Sequence, residues 1–329
     1  MVLMRSFLLA ACTLSLSLAA CGDGGDDTVV PEGTHYGYVV SKAFVPANMK
    51  QATDYGLDVG ASKSGTPDGT VDNRLGEVLG TLAGMGFAIQ ATVDIAVAQG
   101  SIILLVDFQS KDLMSSSAAG FSVKIGTNPV PAACTGATDT VCGHHLDGKA
   151  MFSIAADSPT DAAVAGKIVG GTFNGGPGDI SLQIALGTTE PITLSLLNAR
   201  AKATGITEAG MTATVGGALS VTDLNGQVIP AIGAQVTGLL TRDCGATRTN
   251  PPTCGCTAGS TSLTLLNLFD GDIAGTVKDC NISTAEIAGN AIIKSLLGPD
   301  VCSTTTCTAP DALSLGIQVT AVKAAFPTN

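Results

Sequence analysis

The stretch Ile180-Ser181-Leu182-Gln183-Ile184-Ala185-Leu186-Gly187-Thr188-Thr189-Glu190-Pro191-Ile192-Thr193-Leu194-Ser195-Leu196 decides the fold class. Ile180, Leu182, Ile184 and Leu186 alternate with small or polar residues, and Ile192, Leu194 and Leu196 repeat the pattern after Gly187-Thr188-Thr189-Glu190. A period of two places every large aliphatic side chain on one face, so these are two half-buried strands joined by a hairpin turn. Working outward, strands are expected near 36–45 (stopped by Pro46), 101–109, 121–125, 150–156, 166–173, 191–204 and 312–324. In the last of these Leu313, Leu315, Ile317 and Val319 face inward. Helical spacing occurs at Leu75, Val78, Leu79 and Leu82, at Ile89, Val93, Ala96 and Val97, and at Val228, Ile232, Val236, Leu239 and Leu240. A further helix is expected over 284–297, and 263–269 is an apolar run. Val169-Gly170-Gly171 and Val215-Gly216-Gly217 read as bulges, and Gly175-Gly176-Pro177-Gly178 as turns flanking a strand. The expected fold is mainly β (α+β): an antiparallel sandwich- or barrel-like sheet with a few packed helices and disulfide-stapled loops.

Composition supports this. The 329 residues include 41 Gly, no Trp, 22 Asp and only 5 Glu. Asp bonds its own local backbone and suits turns, whereas Glu suits helices. With a net charge of −11, the chain is not expected to bind nucleic acid or an anionic membrane surface by its charge.

Apart from Cys12 and Cys21, the cysteines are Cys134, Cys142, Cys244, Cys254, Cys256, Cys280, Cys302 and Cys307. An even number in an exported chain reads as disulfides, with connectivity left open by sequence. Short spacings favour Cys134 with Cys142 and Cys302 with Cys307, and Cys280 joins one of Cys244, Cys254 and Cys256. The alternative is a zinc-thiolate site, which the absence of His near the clustered cysteines disfavours.

The compartment is read from the first residues. Arg5 precedes an uncharged run to Ala20, the form of a secretory signal over residues 1–20. The run closes on Leu18-Ala19-Ala20-Cys21, which resembles the lipobox of bacterial lipoproteins. In that family the Cys thiol is diacylglycerated, the preceding peptide is removed and the new amino terminus is acylated, as with palmitate. The resemblance implies lipidation of Cys21 and attachment to a membrane through the lipid. Several chains, at about 0.8 kcal/mol per buried methylene, make that attachment effectively permanent. Inner-membrane retention in such families goes with Asp after the Cys; Gly22 implies the outer membrane. Residues 21–35, with Gly22-Asp23-Gly24-Gly25-Asp26-Asp27, form a flexible tether. A single extracytoplasmic domain is expected over 36–329.

Two acidic segments are candidate cation loops. Asp270, Asp272, Asp279 and Glu286 lie in a segment that resembles an EF-hand loop running into its exit helix. Asp279 fits the fifth position, Ser283 the ninth and Glu286 the twelfth; Gly275 and Val277 fall on the first and third, and Cys280 replaces the usual Gly. Asp270 and Asp272 can substitute only in a lengthened loop. The alternative is that Cys280 staples the turn in place of a metal and Ser283 or Thr284 caps the helix. Asp58, Asp68 and Asp72 lie in a second segment whose Asp68-Gly69-x-x-Asp72-Asn73 resembles half of an Asp-rich calcium loop of secreted bacterial proteins. The organisation as a whole resembles bacterial surface lipoproteins with degenerate calcium-type loops. Ca2+ at these loops would rigidify them, with affinity of roughly 10⁻⁴ to 10⁻³ M.

Gly143-His144-His145-Leu146-Asp147-Gly148-Lys149 mimics a phosphate-binding loop, but Ala150 stands where Ser or Thr must hold magnesium, so no nucleotide is expected. His144 and His145 are expected on an exposed loop beside Asp147. Asp94 and Asp107, among apolar residues, are expected at a helix surface or strand edge. The expected function is a lipid-anchored, non-catalytic structural or ligand-binding module of the cell envelope. Its rivals are an extracytoplasmic hydrolase using paired Asp carboxylates and a carrier of lipophilic ligands in a large cavity.

Overall fold

The computed structural model describes residues 29–328 except 61–65, 85–86, 88, 137–138, 161–162, 186–190 and 274. Cys21, the tether up to Asp27 and the turn Gly187-Thr188-Thr189-Glu190 therefore lie outside the described residues. Among the described residues nine strands form, in chain order: β1 (Thr34–Phe44), β2 (Leu104–Ser110), β3 (Ser115–Val130), β4 (Met151–Ile154), β5 (Ala163–Val169), β6 (Thr172–Ile184), β7 (Ile192–Thr207), β8 (Gly210–Ser220) and β9 (Ala312–Lys323). Their order is β2-β1-β9-β8-β7-β6-β5-β3-β4, and β2 also pairs with β3. Eight strands thus close into an antiparallel barrel in which each pairs with its sequence neighbours, and β4 lies outside on the edge of β3. Closure removes the unpaired edges that an open sheet would expose.

Alternation fills the barrel. Tyr38, Phe108, Phe121 and Phe173 are all buried. Phe108 meets Phe173 edge-on at a centroid distance of 5.3 Å, and Phe121 stacks on Phe173 at 6.2 Å. Tyr38 donates its hydroxyl to the Thr207 carbonyl at 2.8 Å, tying β1 to the end of β7. The outward positions Lys167, Ser195, Lys202 and Thr204 are exposed. Apolar inside and polar outside is the reverse of a lipid-facing barrel.

Two long excursions leave the same end of the barrel. The first carries α1 (Met49–Asp54), α2 (Arg74–Gly84) and α3 (Ile89–Gln99) between β1 and β2. The second, between β8 and β9, carries α4 (Val221–Asp223), a π turn (Leu224–Val228), α5 (Ile229–Cys244), α6 (Thr261–Phe269), α7 (Thr284–Gly289) and α8 (Ala291–Leu296). Val93 and Val97 of α3 close the barrel mouth against Val40, Leu104 and Ile317 around a cavity of about 10 Å³. An apolar gap of about 20 Å³ lies between α2, α5, α6, α7 and α8. Each holds at most about one water. The helices share one hydrophobic cluster with the barrel interior. Asn73 joins the parts: its side chain donates to the carbonyls of Ala52 and Gly316 and accepts the Gly76 and Gly316 amides, starting α2 beside β9.

Four disulfides pair Cys134 with Cys142, Cys244 with Cys256, Cys254 with Cys280 and Cys302 with Cys307. All belong to segments at the helical end, while the chain enters β1 at the other. Several expected elements are corrected. β8 occupies 210–220, where only a bulge was expected; its small residues Ala213, Gly216 and Gly217 give little hydrophobic contrast. The 263–269 run is helical, capped by Ser260 on the Leu263 amide. The expected 284–297 helix breaks at Asn290, whose side chain caps α8. Gly170 and Gly171, with φ of 57° and 73°, form the β5–β6 turn rather than a bulge. Gly175-Gly176-Pro177-Gly178 lies inside β6 as a bulge against β7 rather than in a turn.

Candidate functional site

The segment from Asp270 to Glu286 folds as a helix–loop–helix between α6 and α7. Asp270, buried, accepts the Asp279 amide on Oδ1 at 2.9 Å and the Cys280 amide on Oδ2 at 3.0 Å. Glu286, also buried, accepts the Gly271 amide on Oε1 at 2.8 Å and the Ser283 amide on Oε2 at 2.9 Å. Ser283 completes a capping box by accepting the Glu286 amide at 3.1 Å. Asp272 accepts from the Asn290 side chain, and Asp279 from the Asn281 amide. Burial raises the Glu286 carboxyl, but the Ser283 and Gly271 amides outweigh it and hold the group below the usual carboxylate range.

Gly275, Val277, Asp279, Asn281, Ser283 and Glu286 line one hollow of about 250 Å³. Cys280 takes the left-handed conformation, φ 66°, where Gly usually stands, and is tied to Cys254. Calcium takes about six to eight oxygens. Here the carboxylates turn to backbone amides, and among the described residues no group of three or more His, Cys, Asp or Glu is arranged to hold a metal ion.

The second acidic segment behaves alike. Asp58 accepts the Asp68 and Gly69 amides at 3.1 and 2.6 Å. Asp68 accepts the Thr70 amide, and Asp72 accepts the Val59 amide at 3.0 Å. Burial, aided by the charges of Asp300 and Asp58, pushes the Asp72 carboxyl up to about 6 against the pull of the Val59 and Gly60 amides. These three carboxylates knot the loop that leads into α2.

Of the two histidines expected on an exposed loop, His144 is exposed and His145 is not. His144 bonds Asp139 at 3.1 Å. His145 is completely buried, edge-on to Phe152, with neither ring nitrogen hydrogen-bonded. Asp94 is exposed and accepts from Gln90. Asp107 is buried on the outer face of β2 and binds Nδ1 of His35 at 2.9 Å. That pair stands beside a groove of about 390 Å³ lined by Tyr36, Glu208, Lys323 and Phe326. Nothing local in the sequence pairs residues 72 positions apart; the signal lies only in the β1–β2 register.

A second groove of about 310 Å³ lies on the barrel's outer wall, where Leu57, Asp58 and Pro67 face Asn174, Gly176, Arg200 and Lys202. Sequence reading missed Arg200 and Lys202, which follow the alternation of β7 only beyond a register shift at 197–200. Comparisons with known proteins return no match: no family model fits the chain, and no curated protein or solved structure is significantly similar to it.

Proposed function

We propose that this chain is a lipid-anchored protein of the bacterial cell envelope, attached through Cys21, whose barrel is a non-catalytic scaffold held off the outer membrane. The observation that carries the reading is a lipobox, Leu18-Ala19-Ala20-Cys21, at the head of a chain stapled by four disulfides. Disulfides persist in oxidising compartments, the side of the membrane to which a lipobox directs a chain. The aromatic filling of the barrel leaves the interior to side chains rather than to a lipophilic cargo. In the acidic helix–loop–helix, the Cys254–Cys280 staple holds the turn that an ion holds in a calcium loop.

Fractionation tests the anchor. Wild type is expected in the membrane fraction, extracted by detergent and not by salt. Cys21→Ser should leave it. Unchanged partition of the variant would remove the proposal.

A further inference from the structure

We propose that the notch at the plain end of the barrel, between the start of β1 and the end of β9, binds a short peptide with free ends. The peptide, about three residues long, adds as a strand to the open edge of β1. The inference goes beyond the envelope reading and does not rest on the lipid anchor.

The edge comes from a mismatch in where two strands end. β1 pairs with β2 from Thr34 onward, but with β9 only from Tyr38, opposite Lys323. Had β9 run on, it would have met Gly37, Tyr36, His35 and Thr34. Instead it leaves the sheet. The Ala324 amide still bonds the Gly37 carbonyl at 2.9 Å, but Ala325 donates to the Ala150 carbonyl and accepts the Phe152 amide, beside β4. Along a strand the backbone groups of successive residues turn to alternate neighbours. The Gly37 carbonyl points to the β9 side, so the His35 amide and carbonyl point there too. Among the described residues no backbone group meets them.

The groove of about 390 Å³ lies on that edge, lined by Thr34, His35, Tyr36 and Gly37 on one side and by Ala324 and Ala325 on the other. Successive side chains of a strand point to opposite faces. Four consecutive lining residues therefore mean that the groove follows the strand's edge, not one of its faces. An open edge is a template for another backbone, and an extended peptide added there gains main-chain bonds while its side chains lodge alternately to either side.

The rest of the groove suits the ends of such a peptide. Glu208, in the β7–β8 turn, and Lys323, at the end of β9, both line it and are exposed. They carry opposite charges, and neither has an ion-pair partner among the described residues. A zwitterion satisfies both, with its ammonium at Glu208 and its carboxylate at Lys323. His35 adds an acceptor. Buried Asp107 accepts from its Nδ1 at 2.9 Å, which leaves Nε2 with a lone pair and no partner among the described residues. Phe326 supplies an apolar wall over Gly37, where a Cβ would come within 3.0 Å of the ring. The volume of about 390 Å³ suits a peptide of small residues and not a folded partner.

Calorimetric titration of the purified protein decides. The probes are trialanine, trialanine methylated on both peptide nitrogens, N-acetyl-trialanine amide and free alanine. Trialanine should bind saturably at one site. The N-methylated peptide, which cannot donate to the edge, should bind about fivefold more weakly or worse, and the blocked peptide and free alanine about tenfold more weakly or worse. Glu208→Gln and Lys323→Gln, both at exposed positions, should each weaken trialanine about tenfold, the loss of one charge-assisted hydrogen bond. Lys167→Gln on β5 should change nothing. Absence of saturable trialanine binding, equal binding of the N-methylated peptide, or undiminished binding in both Glu208→Gln and Lys323→Gln would overturn the proposal. Equal binding of the blocked peptide would also overturn it, by giving the edge to an internal segment of a longer chain.

Discussion

At His145 the protein holds an imidazole with no exposed surface and no hydrogen bond, packed on Phe152 beneath the Cys134–Cys142 loop. Burial, with His144 adding, pushes its pKa below the usual histidine value. A histidine that protonates more readily unfolded than folded contributes stability above the unfolded pKa of about 6.5 and loses it as pH falls below that value. The wild type is therefore expected to melt lower at pH 5 than at pH 7.5, and His145→Leu should remove most of that difference. An equal acid loss in the variant would assign the effect elsewhere. Asp72 works in the opposite sense, since a carboxyl raised to about 6 favours the folded state most at low pH and loses that contribution as pH rises through 6. Neither setting was legible in the sequence. His145 sits in a Gly- and Asp-rich stretch that reads as exposed, and its burial comes from β4 and the 324–326 segment folding over the outer face of β1.

Among the elements, the acidic loop was the most legible and the most changed. Its register was readable: Cys280 at the turn, Ser283 at the cap and Glu286 closing on it. What sequence left open was the direction in which the carboxylates turn, because amides 271, 279 and 280 meet them only once the loop has folded. Reduction and chelation separate the two ways of holding the turn. Removing the Cys254–Cys280 bond, which spans 26 residues, by paired Ser substitution should cost about 3.5 kcal/mol by loop-closure entropy; removing Cys302–Cys307, spanning five, should cost about 2 kcal/mol. A chelator should move the melting temperature far less than either. A chelator shift that Glu286→Gln abolishes would instead assign calcium to the loop. The strands were legible where large aliphatics alternate, as in β6 and β7, and faded where Ala, Gly and Thr do the alternating, as in β8. The bulges of β6 and β7 swap which residues face outward, which is how Arg200 escaped notice.

For the molecule as a whole, a mainly β fold with packed helices was readable from pattern and composition, and the choice of a closed barrel was not. Closure depends on β1 pairing with β9, Tyr38 with Lys323, and on β2 pairing with both β1 and β3. Those pairings are set by twist and strand count rather than by any local residue. The resulting body has two unlike ends. The chain arrives at the plain end, at Thr34, and the helices, acidic loops and disulfides gather at the other. A lipid at Cys21 would thus present the stapled end away from the bilayer. The intact mass of the mature protein, taken after alkylation without reductant, tests this account most directly. The expected species begins at Cys21, carries diacylglycerol and one further acyl chain, and takes up no alkylating agent. An unacylated amino terminus, or four or more alkylated thiols, would contradict it.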